Sequence, residues 1–409
     1  MNPELQPPVA VVKARWCGAE LREWWTAHGA KFLRALIVLM AILAVQRLAY
    51  GFWRLLWSTE PTGAIDLKLF NHLVHAWFLD EPIYARFHNA TYPPASYVIL
   101  WPFLGWLEIT PARWLWAVTT VPVLAWLACL VVRESRASTR LECAFLVLML
   151  LSNYATEITI GNGQLILHLL PPLMAAVLLL ARGRACWRID LFVALLFLIA
   201  LAKPSLAIPF FWLVLFVPGR LRPALLIAGG YVGLTLFAAA YQTVGLAELM
   251  RGWLERSSEN VITHGYANLH MWLGSVGLER WMGPASALAL VALGYWTYRH
   301  RHSDIWVLLG VTALVARLWT YHTLYDDLLI VLPLVTLYRM ARDDCSARND
   351  DVAAGAMFAV LFLTMFSARL HSWPAPWNWP FNIGNPIAWL ATLVFLLAKT
   401  RRPAPSVVQ

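Results

Sequence analysis

Asp66 is the residue of this sequence best placed to act as a general base. It follows a first apolar run, 36–57, and lies in the longest polar passage before the chain becomes almost continuously hydrophobic. On the helix predicted to begin here, Asp66 falls on the apolar side, where partial burial would raise its pKa toward the range that suits deprotonation of a hydroxyl group. The spacing equally allows a structural role, in which Asp66 caps the start of that helix.

Two histidines one turn apart, His72 and His75, follow on the polar side of the same helix. A pair with this spacing could begin a metal site, although it is more typical of a face that contacts water. The sequence holds no Cys-x-x-Cys pair and no other zinc pattern. We therefore expect neither a metal ion nor another cofactor.

Lys203 lies inside an apolar run, directly before Pro204. A charged side chain at membrane depth costs about 2.5–3.5 kcal/mol, so such a cation is seldom left without a partner. The phosphate of a lipid headgroup is one suitable partner, because an ammonium group neutralises phosphate as a point charge. The alternative is that the long side chain simply extends to the membrane surface.

Two further polar segments could line the same cavity. The tight turn Gly-Asn-Gly-Gln contains Asn162 and Gln164, and its glycines allow the backbone conformations that would turn both amides inward. A later segment places His322 one turn before Tyr325 and Asp326, at the start of an apolar run. Alternatively, the aspartates of this segment are solvated in an ordinary loop.

The composition of the chain indicates a membrane protein. Hydrophobic residues make up 60% of the 409 residues and charged residues 13%, about half of the roughly 25% typical of soluble domains. The net charge of +9 comes mainly from cations in the segments between apolar runs. These segments lie on the inner side of the membrane when the chain is oriented by the positive-inside bias. The basic charge therefore indicates membrane topology, and we expect no nucleic-acid partner.

The apolar runs predict an all-α fold, a polytopic membrane helix bundle of about 12 transmembrane helices. They lie near 36–55, 112–132, 141–158, 164–181, 189–203, 204–219, 223–241, 283–299, 304–319, 322–338, 352–368 and 386–399.

Domain organisation follows from these spans. We predict one membrane domain, 34–400, with an N-terminal cytoplasmic tail, 1–33, and a C-terminal cytoplasmic tail, 401–409. Two outer loops, 58–111 and 242–282, would carry amphipathic juxtamembrane helices. The apolar segment 95–107 would lie along the outer interface, since a crossing there would place the later arginine clusters outside.

The order of these motifs resembles a known family. Asp66, an amphipathic helix, Ile83-Tyr84 and Tyr92-Pro93-Pro94 are followed by Gly163-Gln164, Lys203-Pro204 and an aromatic-His segment before a Leu-rich span. This arrangement is similar to the polyprenyl-phosphate-sugar-dependent glycosyltransferases of the GT-C superfold, and most similar to glycosyltransferase family 87, the alpha-1,2-mannosyltransferase-like group. The resemblance covers roughly residues 35–340.

The resemblance implies a substrate class and a location. It implies transfer of a hexosyl residue, mannose in the first instance, from a polyprenyl-phosphate-linked donor to a lipid or glycan acceptor, with inversion. The active site would face the periplasm or cell exterior from the plasma (inner) membrane, among membrane lipids.

The resemblance also implies roles for individual residues. Asp66 would match the catalytic residue of the first outer loop, and Lys203 and His322 would lie near the donor phosphate. The substrate pocket would then be shaped by Tyr84, Tyr92, Asn162, Gln164, Tyr325 and Asp326.

Two other classes of function remain open from the sequence. A transporter or flippase of lipid-linked sugars could use Lys203 and Glu157 along a substrate path, but such proteins usually show two related halves with matching broken helices. No such pairing is visible here. A non-catalytic scaffold subunit would leave the one-sided polar cluster without a purpose.

Overall fold

Helices account for the regular structure of the chain, as the sequence predicts. The computed structural model describes residues 9–183, 185–263, 267–342 and 350–400, and no β-strand occurs in these ranges. In chain order the α-helices are α1 (Val9–Leu56), α2 (Ile65–Phe78), α3 (Ile83–Arg86), α4 (Pro94–Leu104), α5 (Ile109–Glu134), α6 (Arg140–Leu151), α7 (Tyr154–Asn162), α8 (Ile166–Arg182), α9 (Trp187–Ala200), α10 (Pro204–Phe216), α11 (Arg222–Ala239), α12 (Leu246–Thr263), α13 (Leu269–Ser275), α14 (Met282–Arg299), α15 (Ile305–Leu318), α16 (Val331–Arg342), α17 (Asp350–Thr364) and α18 (Asn385–Lys399). Short 3₁₀ segments lie at Glu279–Trp281, Leu324–Ile330 and Ala368–Ser372, and a π turn at Pro380–Gly384.

Four helical segments of the described chain are long and apolar enough to cross a membrane. They are Ala27–Leu56, Ile109–Glu134, Arg222–Ala239 and Pro380–Lys399. A fifth crossing is possible if α6 and α7 form one span, although these helices are bent by 47° relative to each other. The larger number of twelve therefore stays a prediction, as do the domain boundaries. The predicted tail 401–409 and the first eight residues lie outside the described ranges.

Burial inside the protein explains why several apolar runs form shorter helices. Most of α8 and α15 is buried, and each packs between other helices: α8 against α5 and α9, and α15 against α10, α16 and α18. Such helices are apolar because they contact protein on all sides. The length of an apolar run alone does not tell these helices apart from helices that contact lipid. The predicted span 322–338 likewise begins with the 3₁₀ segment Leu324–Ile330.

Helices α5 and α8 run parallel and connect two polar ends of the bundle. At the first end, Arg113 near the start of α5 donates to the carbonyl of Ser58, just beyond α1. At the other end, Glu134 accepts two hydrogen bonds from Arg182, the last residue of α8, at 2.8 and 2.5 Å. The 26 residues of α5 separate these ends by about 39 Å, enough to cross a hydrocarbon core of about 30 Å.

The second end, hereafter the arginine-rich end, is held by buried carboxylates. Arg339 donates to the backbone carbonyl of Glu134 at 2.6 Å, and Arg220 contacts the fully buried Asp190 at 2.8 Å. These contacts join α5, α8, α9 and α16. The end that holds Asp66 is hereafter called the Asp66 end.

Candidate active site

Asp66 lies in the first turn of α2 but does not cap it. The N-cap is Ala64, which adopts a left-handed conformation with φ 51° and supplies no side-chain cap. Its backbone amide instead donates to the carbonyl of Gly161 at 3.0 Å, so the start of α2 is fixed to the end of α7. The capping alternative is therefore wrong, and Asp66 is directed at the polar turn that follows α7.

The carboxylate of Asp66 is held in an environment that favours its protonated form. Its Oδ2 atom is buried and has no hydrogen-bond partner among the described residues. Burial raises the pKa of Asp66 to about 6, while the nearby amides of Asn162 and Gln164 and the charge of Lys203 act to lower it. This carboxyl group can therefore gain and release a proton near neutral pH.

The turn 161–164 presents its amides because its two glycines fit where side chains would not. Gly163 has φ 69°, and a Cβ there would lie 2.5 Å from Cβ of Leu67. A Cβ on Gly161 would meet the guanidinium of Arg54 at 3.0 Å. Of the two glycines that allow a left-handed backbone, only Gly163 adopts one, since Gly161 is helical.

Both amides of this turn have their oxygen atoms engaged. Asn162 Oδ1 accepts a hydrogen bond from Arg54 at 2.8 Å, and Gln164 Oε1 accepts one from the backbone amide of Leu165 at 3.0 Å. The NH₂ groups are consequently the parts of both side chains that remain available on the Asp66 side.

Lys203 and His322 meet on one carboxylate, that of Asp326. Lys203 Nζ lies 2.5 Å from Oδ1, and His322 Nδ1 lies 3.0 Å from Oδ2. All three side chains are buried. The partner of Lys203 in this structure is thus a protein carboxylate, and its contact with a phosphate stays a prediction. The second ring nitrogen of His322, Nε2, is buried without a described partner.

Local structure explains how these residues come to the same place. Lys203 precedes Pro204, the first residue of α10, and has φ −125° and ψ 84°, in keeping with the non-helical backbone preferred before proline. Asp326 stands in the first turn of the 3₁₀ segment Leu324–Ile330, where its Oδ2 also accepts from the amide of Thr323 at 3.3 Å. The Tyr325 ring lies 4.7 Å from the Lys203 ammonium group.

The predicted tyrosines have different positions relative to this cluster. The pKa of Tyr92 is raised by burial and by the nearby carboxylates of Asp326 and Asp66, which places its phenol close to both. Tyr84 lies behind it, donating its hydroxyl to the Tyr92 carbonyl at 2.7 Å. Tyr92 and Tyr325 therefore border the space between Asp66 and Asp326, and Tyr84 supports Tyr92.

A second buried ion pair lies directly behind the cluster. Arg317 and Asp327 are both fully buried, with Arg317 Nε 2.5 Å from Asp327 Oδ1, and the hydroxyl of Tyr154 donates to the other oxygen. Arg317 also lies over the ring of Trp389 at 4.8 Å. Neither Arg317 nor Tyr154 was identified from the sequence. The signal was present, because Arg317 interrupts an apolar run just as Lys203 does.

Of the two predicted histidines, His75 packs against the end of α4, whereas His72 is exposed. His75 Nε2 and the side-chain amide of Asn71 both contact the backbone carbonyls of Leu104, the last residue of α4, and of Leu107 just after it. Among the described residues, no three His, Cys, Asp or Glu side chains are grouped closely enough to hold a metal ion.

Comparison with known proteins identifies the class of the molecule. Comparisons with curated proteins and with solved structures find no match. The family model for glycosyltransferase family 87 matches residues 90–337, more than half of the chain. The match includes Tyr92, the turn 161–164, Lys203 and the segment from His322 to Asp326, whereas Asp66 precedes it. The suspected relationship is thereby confirmed: this chain belongs to glycosyltransferase family 87.

Proposed function

We propose that this glycosyltransferase transfers a hexosyl residue, specifically mannose, from a polyprenyl-phosphate-linked donor to a hydroxyl group of a lipid or glycan acceptor, with inversion. The observation that carries the proposal is the buried, unpartnered Oδ2 of Asp66, in electrostatic reach of the Lys203–Asp326 pair. Transfer from a phosphate-linked donor to an acceptor hydroxyl requires a base for the hydroxyl and a cation for the phosphate in one site.

Asp66 acts as the base in this mechanism. Its ionised carboxylate takes the proton from the acceptor hydroxyl as that oxygen attacks the anomeric carbon of the donor. The bond from the anomeric carbon to the phosphate oxygen breaks on the opposite side, and its electron pair leaves with the phosphate. A pKa of about 6 supports this role, because the group is mostly ionised at neutral pH yet basic enough to accept a proton.

Lys203 and His322 stabilise the departing phosphate. The leaving lipid phosphate gains negative charge, which the ammonium of Lys203 offsets. The neutral ring of His322 donates from Nδ1 to Asp326, and its Nε2 is then an acceptor for a protonated oxygen of the phosphate. Asp326 holds both groups in position through its two oxygens. Tyr325 lies against the ammonium and limits the access of water to it.

The remaining pocket residues supply groups that recognise a sugar. The NH₂ groups of Asn162 and Gln164 can donate to sugar hydroxyl groups, and the ring of Tyr92 offers an apolar surface to a pyranose face. Tyr84 acts indirectly, by fixing the backbone of Tyr92. In this proposal the chain's own residues supply the base and the cation, and no cofactor takes part.

The site would face the outside of the plasma membrane. Support comes from the arginine-rich end, which lies across the bundle from Asp66 and carries the charge bias typical of cytoplasmic loops. A donor with a prenyl tail would then enter laterally from the outer leaflet.

The test replaces Asp66 by Asn in the full chain, reconstituted in lipid nanodiscs with synthetic polyprenyl-phosphate mannose and labelled acceptor membranes. Loss of the base should reduce transfer by about 10²–10⁴-fold. Glu60→Gln is the matched control, since Glu60 is an exposed carboxylate of the same outer loop and should retain full activity. Undiminished transfer by Asp66→Asn would remove the proposed base. Movement of labelled lipid-linked mannose across the membrane without a glycosidic product would support a transporter.

A further inference from the structure

Arg54 is a charged residue near the end of α1 that has no role in the proposed chemistry. Its Nη2 atom donates to Asn162 Oδ1 and to the backbone carbonyl of Thr62, each at 2.8 Å. The contact with Asn162 joins residues that are 108 positions apart in the chain. Arg54 thus connects the first apolar helix, the start of the outer loop and the turn beside Asp66.

The Arg54 contact determines which way the amide of Asn162 faces. A guanidinium group can only donate hydrogen bonds, so the Asn162 atom that meets it must be the oxygen. The NH₂ group is then directed away from Arg54, and the Asn162 amide, which lies near Asp66, acts to lower the pKa of that carboxyl group. Without Arg54 the amide could rotate by half a turn and present its oxygen to a carboxylate, which would repel it.

The backbone of the turn is adapted to this arrangement. Arg54 occupies the space that a side chain at Gly161 would fill, at 3.0 Å from the position of a Cβ. The carbonyl of Gly161 meanwhile accepts the amide of Ala64, the residue that begins α2. The same short region therefore places both the amide donor and the helix that carries the carboxylate.

We infer that Arg54 is a positioning residue, which holds the oxygen of the Asn162 amide and so leaves its NH₂ group to face Asp66. The inference rests on the proposed role of Asp66 and adds a residue from α1, which precedes the outer loop 58–111 that carries Asp66. Arg54 touches neither donor nor acceptor; its effect on catalysis passes entirely through Asn162.

Other groups around Asp66 act independently of Arg54. Lys203 lowers and Asp326 raises the pKa of Asp66, and both stay in place when Arg54 is replaced. The phenols of Tyr92, Tyr321 and Tyr325 also lie near it. Phenols ordinarily titrate near pH 10, so they stay neutral while Asp66 titrates.

The test measures the titration of Asp66 directly and needs no substrate. Infrared spectroscopy of the full chain in nanodiscs follows the carbonyl band of a protonated carboxyl group, and the band that Asp66→Asn abolishes belongs to Asp66. We expect a midpoint near pH 6 in the natural protein. In Arg54→Gln the midpoint should rise by about one pH unit, the size expected from loss of one hydrogen bond to a charged group.

A double-mutant comparison separates positioning from simple loss of positive charge. Asn162→Ala should raise the midpoint by a similar amount, and Arg54→Gln added to it should cause no further shift. The control Arg133→Gln removes an exposed arginine near the arginine-rich end and should leave the midpoint unchanged.

Two results would overturn the inference: an unchanged midpoint in Arg54→Gln, or shifts of the two single variants that add in the double variant. Because the measurement is independent of sugar transfer, either result leaves the proposed function to its own test. Conversely, full transfer by Asp66→Asn would overturn the proposed function even if the titration shifts as expected.

Discussion

Burial and polar contacts act on the Asp66 carboxyl group in opposite directions, and burial has the larger effect. A pKa of about 6 in the folded chain, against 3.8 for the unperturbed group, means that the ionised form is less stable in the protein than in water. Above about pH 6 this difference lowers folding stability by about 3 kcal/mol, and below about pH 4 the penalty is absent. Such a cost is typical of residues retained for chemistry.

The Lys203–Asp326 pair allows stability and catalysis to be separated. Lys203→Met leaves the buried Asp326 without its cation, and we expect a loss of about 3–5 kcal/mol in stability. Adding Asp326→Asn should restore most of this stability, because no unpaired charge remains. Transfer activity should stay low in both variants if Lys203 binds the donor phosphate.

Thermal unfolding in one detergent and transfer rates in nanodiscs provide the two measurements for this pair. A double variant that regains activity together with stability would show that Lys203 only balances Asp326. A double variant that regains stability alone would assign the ammonium to the donor.

Individual ionisable residues could be found from the sequence by their positions relative to the apolar runs. Lys203 interrupts such a run, His322 stands at the start of one, and Asp66 lies in the polar passage that follows the first. Their partners could not be found, since Lys203 and Asp326 lie 123 positions apart and only the packing of α10 against α15 and its following segment brings them together. The capping role considered for Asp66 is wrong for a similar reason: the start of α2 is set by a contact with Gly161, far along the chain.

At the scale of elements, apolar length located the helices better than it located their ends. The predicted span 141–158 is interrupted at Asn153, whose side-chain oxygen accepts from the amide of Thr156 at 2.8 Å and whose NH₂ group donates to the Leu150 carbonyl at 2.9 Å. One residue thus ends α6 and begins α7. The sequence signal was the pair Ser152-Asn153 inside an apolar run, since both residue types favour caps over helix interiors.

Two glycines with a left-handed backbone, Gly163 at the end of α7 and Gly219, allow a matched comparison of alanine substitutions. Gly163→Ala introduces strain of about 1–2 kcal/mol from its φ of 69°, and adds a clash with Leu67 at 2.5 Å. Gly219 has φ 65°, but no atom lies within 4 Å of the position that a Cβ would take there, so Gly219→Ala should cost only the first amount. Unfolding temperatures measured in the same detergent will compare them.

The two alanine variants should also differ in activity. Leu67 is the neighbour of Asp66, so displacement of Leu67 by the added methyl group in Gly163→Ala would move the carboxylate, whereas position 219 lies beyond α10 and away from Asp66. Equal losses of stability and activity in both variants would contradict the assignment of Gly163 to the site.

At the scale of the whole molecule, the bundle has one end with the candidate site and one end with arginine-bound carboxylates. Helices α5 and α8 cross between these ends, and the separation matches a bilayer. The charge bias and the all-α fold class were readable from the sequence, because they follow from the positions of the cations and the lengths of the apolar runs between them. Which apolar helices contact lipid and which contact protein was not, because it depends on their neighbours.

Labelling of single cysteines tests this orientation. In a chain whose five native cysteines are replaced by serine, Glu60→Cys lies at the Asp66 end and His302→Cys in the α14–α15 connection at the arginine-rich end. A membrane-impermeant maleimide should label Glu60→Cys in intact cells and His302→Cys only after permeabilisation. The reverse pattern would place the site in the cytoplasm and exclude an outer-leaflet donor.

Because the Asp326 carboxylate already neutralises Lys203, it also affects how well dissolved anions compete for this ammonium group. An unopposed buried ammonium group would attract dissolved phosphate or sulfate as well as the phosphate of the proposed lipid-linked donor. With Asp326 in place, a small dissolved anion must compete with this carboxylate for Lys203. It also lacks a hydrocarbon tail that would add to its binding. Inhibition by dissolved phosphate or sulfate is therefore disfavoured, and under the proposed function Lys203 stays available for a donor that enters from the bilayer.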